Sequence, residues 1–362
     1  MLCPFVLMKL DFLPFNLKLK HTWTISRGAV SGGGTDVATV VLVRLQDKSV
    51  AGLGEAPSSR RYAQSMDSIQ DFLRRVDPNK LSFDDIPGSM AFLEKLAPGN
   101  YSAKGALNVA LVDGAARLAG KPVYDFLGLG FQENKHLTSY SIGIDTPDMV
   151  RRKVAEAASY PILKLKIGAP GDRENLAALR QVDPKRTVRV DANEGWKTKE
   201  EALRNLEWLA QDPHIEFVEQ PMPASTPLKD LAWLKSRSPL PLFADESCQN
   251  ARDVSDCVPC YHGVNVKLIK TGGLSGAYET LQAARRAGLK TMIGCMIETS
   301  VLITAAAHLA EWANHLDIDG NLLVSNDPFA GATAGKGLVS FAAAPVKTGL
   351  RVKAMAADPF GG

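Results

Sequence analysis

From about residue 136 onwards, the sequence alternates short apolar segments with amphipathic ones. Strands are predicted at 136–143, 162–168, 187–192, 215–220, 241–246, 263–268, 289–294 and 317–322. A strand–helix unit repeated at a spacing of about 25 residues is typical of a parallel sheet closed into a β/α barrel. A doubly wound open sheet is the alternative, and the lack of a glycine fingerprint after a first strand disfavours it.

The region before this alternation has a different pattern. Strands are predicted at 16–24, 39–45 and 50–54, with helices at 66–76 and 102–118. This order indicates an α+β domain that precedes the barrel. The glycine-rich segment 27–34 is predicted to be a loop, and it lacks the lysine and hydroxyl residue that end a phosphate-binding loop. A strand-like segment at 338–353 is predicted to return to the first domain.

Composition excludes several partner classes. The 362 residues carry a net charge of only +3, and their basic residues are scattered, so neither nucleic acid nor a membrane surface is indicated. Five cysteines in so long a chain favour a reducing compartment, and we expect a cytoplasmic protein. The CxxC at 257–260 has no second cysteine or histidine pair at zinc spacing. The apolar start is predicted to be a strand rather than a signal peptide, with Met1 or Met8 as the first residue.

Charged residues recur where the predicted barrel strands end. In a parallel barrel the loops at the carboxyl ends of the strands form the open face, where catalytic residues lie. One charged residue at such a position is usually the polar boundary of a buried segment, but here they follow successive strands. The set is Lys164, Lys166, Asp191, Asn193, Glu219, Asp245, Glu246, Lys267 and Glu298.

Three of these acids predict a metal site. Asp191, Glu219 and Asp245 end three successive strands, and three carboxylates converging in a low-dielectric mouth repel one another unless a cation neutralises them. A ligand set of oxygens without histidine or thiolate favours Mg2+, with Mn2+ as a substitute.

The lysines on either side of the acids are predicted to be acid–base groups. Lys164 and Lys166 alternate with apolar residues and point to the same face of their strand. A lysine pKa near 10.4 is too high for a base at neutral pH, and a neighbouring positive charge would lower it. Lys18 and Lys20 repeat the spacing in the first domain, but no acids follow them, so we expect a solvated face.

The two flanking strands suggest the reaction type. Lys166 on the second barrel strand and Lys267 on the sixth would approach an α-carbon from opposite faces. A divalent ion bound to a substrate carboxylate stabilises the enediolate formed when the adjacent carbon loses its proton. One base that removes a proton and another that returns it on the other face give 1,1-proton transfer, that is, racemisation or epimerisation.

Several motifs together resemble the enolase superfamily, muconate-lactonizing subgroup. They are LKLKIG (163–168), VDANEGW (190–196), VEQPMP (218–223), ADES (244–247), VNVKLIKTGG (264–273) and GCMIETS (294–300), with GLGEAPSS (52–59) and GKPVYDFLG (120–128) in the first domain. The resemblance implies a (β/α)7β modified TIM barrel at 126–331 and an N-terminal α+β capping domain at 1–125, completed by 332–362.

The resemblance also implies roles for individual residues. Asp191, Glu219 and Asp245 match the family's magnesium ligands, and Lys166 and Lys267 match its two acid–base lysines. Lys164 matches a lysine that assists electrostatically in such enzymes. Asn193 and Glu246 are neighbours of the ligands and are expected to support them from outside.

Asp317 and Asp319 narrow the expected substrate. We predict that both carboxylates lie on one face of the eighth strand, although a lone DxD is as typical of a turn. Here it resembles the motif with which dipeptide epimerases hold the ammonium group of their substrate. The implied activity is epimerisation of Xaa-Glu dipeptides such as L-Ala-D/L-Glu at the C-terminal residue, during murein peptide recycling. Glu298, and an arginine of the capping loops (Arg27, Arg60 or Arg61), are further candidates for substrate binding.

Other activities remain open at this point. Muconate cycloisomerase, o-succinylbenzoate synthase and N-acylamino acid racemase would share the metal and the lysines but need no ammonium-binding pair. A Schiff-base lyase could use a barrel lysine, and a catalytically silent barrel is the non-enzymatic alternative. The expected partner is a small dipeptide, and homo-oligomerisation is left open.

Overall fold

The computed structural model describes residues 8–31, 33–355 and 358–361. Within this part of the chain, an antiparallel sheet of three strands precedes a parallel sheet of eight. No helix among the described residues is long and apolar enough to cross a bilayer.

The first domain packs its sheet between helices and the barrel. Its elements are β1 (Lys9–Trp23), α1 (Ser26–Ser31), β2 (Thr35–Gln46), β3 (Ala51–Pro57), α2 (Met66–Arg74), α3 (Ile86–Leu96), α4 (Tyr101–Leu118) and α5 (Val123–Phe126). Side chains alternate along β2: Val41 and Val43 pack with the helices, and Val40 packs with the barrel core. The strand is therefore apolar on both faces. Strand β3 runs so close to α4 that a Cβ at Gly54 would lie 2.0 Å from the Ala106 carbonyl oxygen.

Eight parallel strands form the barrel in the order in which they occur along the chain. They are β4 (Tyr140–Ile142), β5 (Ile162–Lys166), β6 (Thr187–Asp191), β7 (Ile215–Glu219), β8 (Leu242–Ala244), β9 (Gly263–Val266), β10 (Lys290–Gly294) and β11 (His315–Asp317). A parallel bridge between Thr138, just before β4, and Leu316 of β11 joins the two ends of the sheet. The predicted parallel α/β barrel is confirmed, and the open-sheet alternative is wrong.

Helices follow the strands of the barrel. They are α6 (Pro147–Glu156), α7 (Asp172–Val182), α8 (Lys199–Leu209), α9 (Leu228–Lys235), α10 (Val254–Cys257), α11 (Leu268–Thr271), α12 (Leu274–Arg286) and α13 (Ser300–Ala307). Short antiparallel pairs follow, made by β12 (Phe329–Ala330) with β15 (Lys353–Ala354) and by β13 (Thr333–Gly335) with β14 (Leu338–Ser340). The C-terminal segment contacts the first domain, where the Leu350 backbone N–H donates to Asp113 at 2.7 Å.

Two local predictions are wrong. The eighth strand ends at Asp317 instead of extending to 322, because a 3-10 helix at Gly320–Leu323 takes up the apolar residues that suggested a strand. The segment predicted as a glycine-rich loop includes a short helix, Ser26–Ser31. The side chain of Arg27 lies outside the described part of the structure, so its predicted role stays a prediction.

Candidate active site

A cavity of about 500 Å3 lies at the carboxyl ends of the barrel strands, under loops of the first domain. The barrel contributes mainly charged residues to its wall, whereas the first domain contributes Trp23, Ile25, Val37 and the segment Ser58–Tyr62. The cavity thus combines a charged floor with a partly apolar cover, an arrangement found at many sites for small molecules.

Strand register brings the three predicted metal ligands together at the carboxyl ends of the strands, where Asp245 lines the cavity and Asp191 and Glu219 are buried and are not among its lining residues. Lys166, Asp191 and Glu219 are direct neighbours across β5, β6 and β7. Asp245 follows the next strand, β8, directly. Asp191, Glu219 and Asp245 are each at most 1% exposed. The fold therefore gathers three buried carboxylates from three successive strands.

The backbone turns sharply after two of these acids. Asn193 and Glu194, which follow β6, have φ values of 43° and 66°, and Gln220 after β7 has a φ of 37°. Left-handed backbone is unfavourable for residues with a side chain and persists where surrounding contacts hold it. Here the Glu194 N–H donates to the Gln220 carbonyl at 2.9 Å, so the two turns hold each other. The Asn193 N–H donates to Asp191 Oδ1 at 2.9 Å and helps to orient that carboxylate.

Lysine side chains lie between the acids. Lys164 Nζ is 2.7 Å from Glu219 Oε2, 3.1 Å from Asp191 Oδ2 and 2.6 Å from Asp317 Oδ2. Lys166 Nζ donates to Asp191 Oδ2 at 2.6 Å, and Lys267 Nζ donates to Asp245 Oδ2 at 2.8 Å.

Lys166 and Lys267 lie on opposite sides of the acids. Lys166 ends β5 and Lys267 directly follows β9, which are the second and sixth of the eight strands. In a closed sheet of eight strands these positions face each other across the barrel axis. A substrate bound over the acids would therefore have one ammonium group on each side.

The close packing of lysines and acids shifts their pKa values. Burial disfavours the charge on Lys164, but the carboxylates of Asp317, Glu219 and Asp191 outweigh burial and raise its pKa well above the usual value. The pKa of Lys267 is raised in the same way, chiefly by Asp245 against the effect of burial. The like charge of neighbouring lysines was expected to lower the lysine pKa, whereas the carboxylates around Lys164 and Lys267 raise it. Burial and the charge of Asp191 raise the pKa of Glu219 to about 7.

The donor set fits a hard divalent cation. Carboxylate oxygens are the ligands that Mg2+ prefers, and Glu219 Oε2 receives no hydrogen bond, only the ammonium group of Lys164. In this structure, no three Asp, Glu, His or Cys side chains among the described residues are arranged so that they could hold a metal ion. Lysine side chains lie between the carboxylates. Lys164 would have to release Asp191 and Glu219 for all three acids to share an ion.

Asp317 and Asp319 form a second acidic corner of the cavity. Asp319 lies beyond the end of β11, so the prediction that both share one face of the strand is wrong, although both side chains line the cavity. Ser139 Oγ donates to Asp317 at 2.7 Å, and the Ser141 N–H donates to Asp319 at 2.6 Å. Burial and the charge of Asp317 raise the pKa of Asp319 to about 7.

The remaining predicted residues are placed differently. Glu246 lines the cavity beside Asp245, whereas Glu298 is buried and is not among the lining residues. Arg60 is exposed at the cavity wall. Arg61 forms a bidentate pair with Glu194 of the barrel, at 2.7 and 2.8 Å, which joins the two domains.

Sequence reasoning missed a buried lysine and a buried asparagine. Lys270 Nζ donates to Asp245 Oδ1 at 2.7 Å, and Asn265 Nδ2 donates to Glu219 Oε1 at 2.7 Å. The signal was present: Asn265 lies two residues before Lys267, and Lys270 lies three residues after it, in the stretch VNVKLIKTGG. Lys270 lies within the short helix α11 and not at the end of a strand, where catalytic residues of a parallel barrel are expected.

Family comparisons cover both domains. Residues 148–335 match the family model described as enolase C-terminal domain-like. Residues 18–128 match the N-terminal domain of the mandelate racemase / muconate lactonizing enzyme family.

Individual relatives agree with the family models. An L-Ala-D/L-amino acid epimerase from Pedosphaera parvula is 62% identical over 348 residues, which are 96% of this chain and 100% of the relative. A substrate-liganded L-Ala-D/L-Glu epimerase from Bacillus subtilis superposes with a TM-score of 0.88 at 29% identity, covering 96% of this chain and 99% of that one. A dipeptide epimerase from Cytophaga hutchinsonii, complexed with Mg and D-Ala-L-Val, gives a TM-score of 0.87 at 27% identity, covering 97% and 96%.

Proposed function

Because the chain belongs to the enolase superfamily, in the mandelate racemase and muconate lactonizing enzyme family, we propose that it is a Mg2+-dependent dipeptide epimerase. The activity is inversion at the α-carbon of the C-terminal residue of an L-Ala-D/L-amino acid dipeptide, with glutamate among the accepted second residues. The relative that is 62% identical carries the name of that activity, and the Cytophaga hutchinsonii structure holds Mg together with a dipeptide.

One observation carries the proposal on this chain itself. Asp319 is 2% exposed at the cavity and pairs with no lysine or arginine among the described side chains, whereas Asp317 pairs with Lys164. A buried carboxylate without a cation is costly. The ammonium group at the N-terminus of a dipeptide would provide that cation.

Asp191, Glu219 and Asp245 would hold Mg2+, which supplies positive charge where the carboxylate next to the reacting carbon gains electron density. Lys166 removes the α-proton on one face, and Lys267 delivers a proton on the other. In the reverse direction their roles exchange. Trp23, whose ring centroid is 5.9 Å from Lys166 Nζ, and Tyr62 cover this region from the first domain and limit the access of water.

The setting of the activity is part of the proposal. All four described cysteines are free thiols, as expected in a reducing compartment. An L-Ala-D/L-Glu substrate would place the enzyme in the cytoplasm, in the recycling of murein peptides. Arg60 is the described arginine of the cavity wall that is best placed for a glutamate side chain, because Arg61 is paired with Glu194.

The test is a dipeptide screen with Mg2+ in deuterated water. We expect inversion of L-Ala-Xaa dipeptides, L-Ala-L-Glu among them, with deuterium at the α-carbon of the second residue and complete loss of activity with a chelator. Turnover of N-acylated amino acids in preference to free dipeptides would instead indicate an N-acylamino acid racemase. Borohydride trapping of a substrate adduct would indicate a Schiff-base enzyme.

A further inference from the structure

Two lysines hold the carboxylate of Asp245, and their surroundings differ. Lys267 Nζ contacts Oδ2 at 2.8 Å, and Lys270 Nζ contacts Oδ1 at 2.7 Å. Lys267 lines the cavity, whereas Lys270 is 1% exposed and is not among the lining residues. Only Lys267 is therefore placed to meet a substrate.

The ammonium group of Lys270 is fixed on all of its donor positions. Besides Asp245 Oδ1, it donates to the Asp245 main-chain oxygen at 2.6 Å and to the Asn265 main-chain oxygen at 2.8 Å. An ammonium group has three N–H donors, so these contacts occupy all of them. A side chain held in this way cannot readily turn to deliver a proton elsewhere.

These contacts extend to a second predicted metal ligand. Asn265, whose carbonyl accepts from Lys270, donates its side-chain amide to Glu219 Oε1 at 2.7 Å and is fully buried. Lys270 and Asn265 thus connect Asp245 with Glu219 from the side away from the cavity. Lys270 contacts Oδ1 of Asp245, and Asn265 contacts Oε1 of Glu219. The other oxygens, Asp245 Oδ2 and Glu219 Oε2, contact Lys267 and Lys164 instead.

We propose that Lys270 is a positioning residue for the metal site: it fixes the rotamer of Asp245 and, through Asn265, the spacing between Asp245 and Glu219. This inference rests on the proposed function only in requiring that a divalent cation binds these acids. Groups that orient metal ligands typically change metal affinity by about 10- to 100-fold when they are removed.

Charge alone predicts the opposite effect. Removing a positive charge beside a cation site lowers repulsion and should tighten metal binding. Lys267→Met is the matched control, because it removes the same charge from the same carboxylate without removing the contacts to the main chain and to Asn265. The difference between Lys270→Met and Lys267→Met therefore reports positioning separately from charge.

The experiment measures Mn2+ binding to metal-stripped protein by electron paramagnetic resonance, without substrate. We expect Lys270→Met to bind Mn2+ at least about 10-fold more weakly than Lys267→Met. The affinity of Lys267→Met for Mn2+ should equal or exceed that of the wild type. Equal affinity of the two variants would overturn the proposal. If Lys270→Met does not fold, as judged by circular dichroism, Lys270→Gln is measured against Lys267→Gln with the same two outcomes.

The result separates this inference from the proposed function. Wild-type protein that binds Mn2+ but epimerises no dipeptide would contradict the function and leave the positioning role standing. Wild-type protein that binds no Mn2+ would overturn both.

Discussion

Asp317 and Asp319 are two residues apart, yet only Asp317 is paired with a lysine among the described side chains. Burial favours the protonated form of Asp317, but the positive charge of Lys164 outweighs burial and holds the pKa of Asp317 below its usual value. Asp319 has no lysine or arginine partner among the described side chains: Ser141 donates to it, as does Cys295 Sγ at 4.0 Å, and burial raises its pKa. Asp319 is therefore the residue on which recognition of a substrate ammonium group should depend most.

Asp319→Asn should lower kcat/KM for free dipeptides by about 10- to 100-fold, because a hydrogen bond between charged groups is replaced by a weaker one. The measurement compares a dipeptide with its N-acetyl form, which has no ammonium group. The wild type should strongly prefer the free dipeptide, and Asp319→Asn should lose most of that preference. A preference that survives unchanged would show that the ammonium group binds elsewhere.

Individual residues also show how far sequence patterns can predict a site. Lys18 and Lys164 occur in the same alternating pattern, but Lys18 is exposed and Lys164 is 2% exposed. Acids that follow later in the chain distinguished them, since parallel strands bring those acids alongside Lys164. The contact between Lys270 and the site was not predicted, because the position of Lys270 depends on how α11 turns after β9, and side-chain alternation along a strand does not encode that turn.

At the scale of elements, the ends of the central barrel strands were predictable to within two residues. β5, β6 and β7 end at Lys166, Asp191 and Glu219, against predicted ends at 168, 192 and 220. β11 ends earlier than predicted, because the chain enters the 3-10 helix Gly320–Leu323, where Gly320 lies so close to the Met296 carbonyl that a Cβ would be 2.2 Å from its oxygen. This contact belongs to tertiary packing, so no local pattern could have revealed it.

His308 joins three elements and gives the fold a dependence on pH. At the end of α13, its Nδ1 accepts from the Tyr124 N–H at 3.1 Å, and its Nε2 donates to the Leu350 carbonyl at 3.0 Å. This arrangement requires a neutral ring. Burial also disfavours the charged ring and lowers the pKa of His308 from the ordinary 6.5 to about 3.

The sign of the effect follows from proton linkage. Between pH 6.5 and 3 the unfolded chain binds a proton at His308 that the folded chain does not, so stability falls as the pH falls. The slope approaches about 1.4 kcal/mol per pH unit. Urea unfolding of wild type and His308→Gln at pH 7 and pH 5 should give a smaller acid loss in the variant. Equal losses would show that His308 does not carry this dependence.

At the scale of the whole molecule, the site needs both domains. The barrel supplies the acids and lysines, and the first domain supplies the cover, which Arg61 joins to Glu194. The two-part organisation was predictable from the change in sequence pattern near residue 130. The exact boundaries at 125 and 332 remain predictions. The pairing of cover and floor was not predictable, because it depends on contacts between residues far apart in the chain.

A cation shared by three strands should stabilise the folded chain as a whole. By mass action, Mg2+ at about 100 times its Kd adds about 2.7 kcal/mol to the free energy of unfolding. Calorimetry should therefore show a Tm that rises with Mg2+ in the wild type, and Asp245→Asn should lose most of the increase. A Tm that is independent of Mg2+ in the wild type would contradict the assignment of Asp191, Glu219 and Asp245 as ligands.

The central claim is that Lys166 and Lys267 act on opposite faces of one α-carbon. Its most direct test is α-proton exchange by Lys166→Ala and Lys267→Ala, each incubated in deuterated water with Mg2+ and with either the L,L or the L,D dipeptide. We predict that neither variant epimerises, that each incorporates deuterium into only one of the two diastereomers, and that the two variants choose opposite ones. Exchange of the same diastereomer by both variants, or epimerisation by either one, would contradict the account.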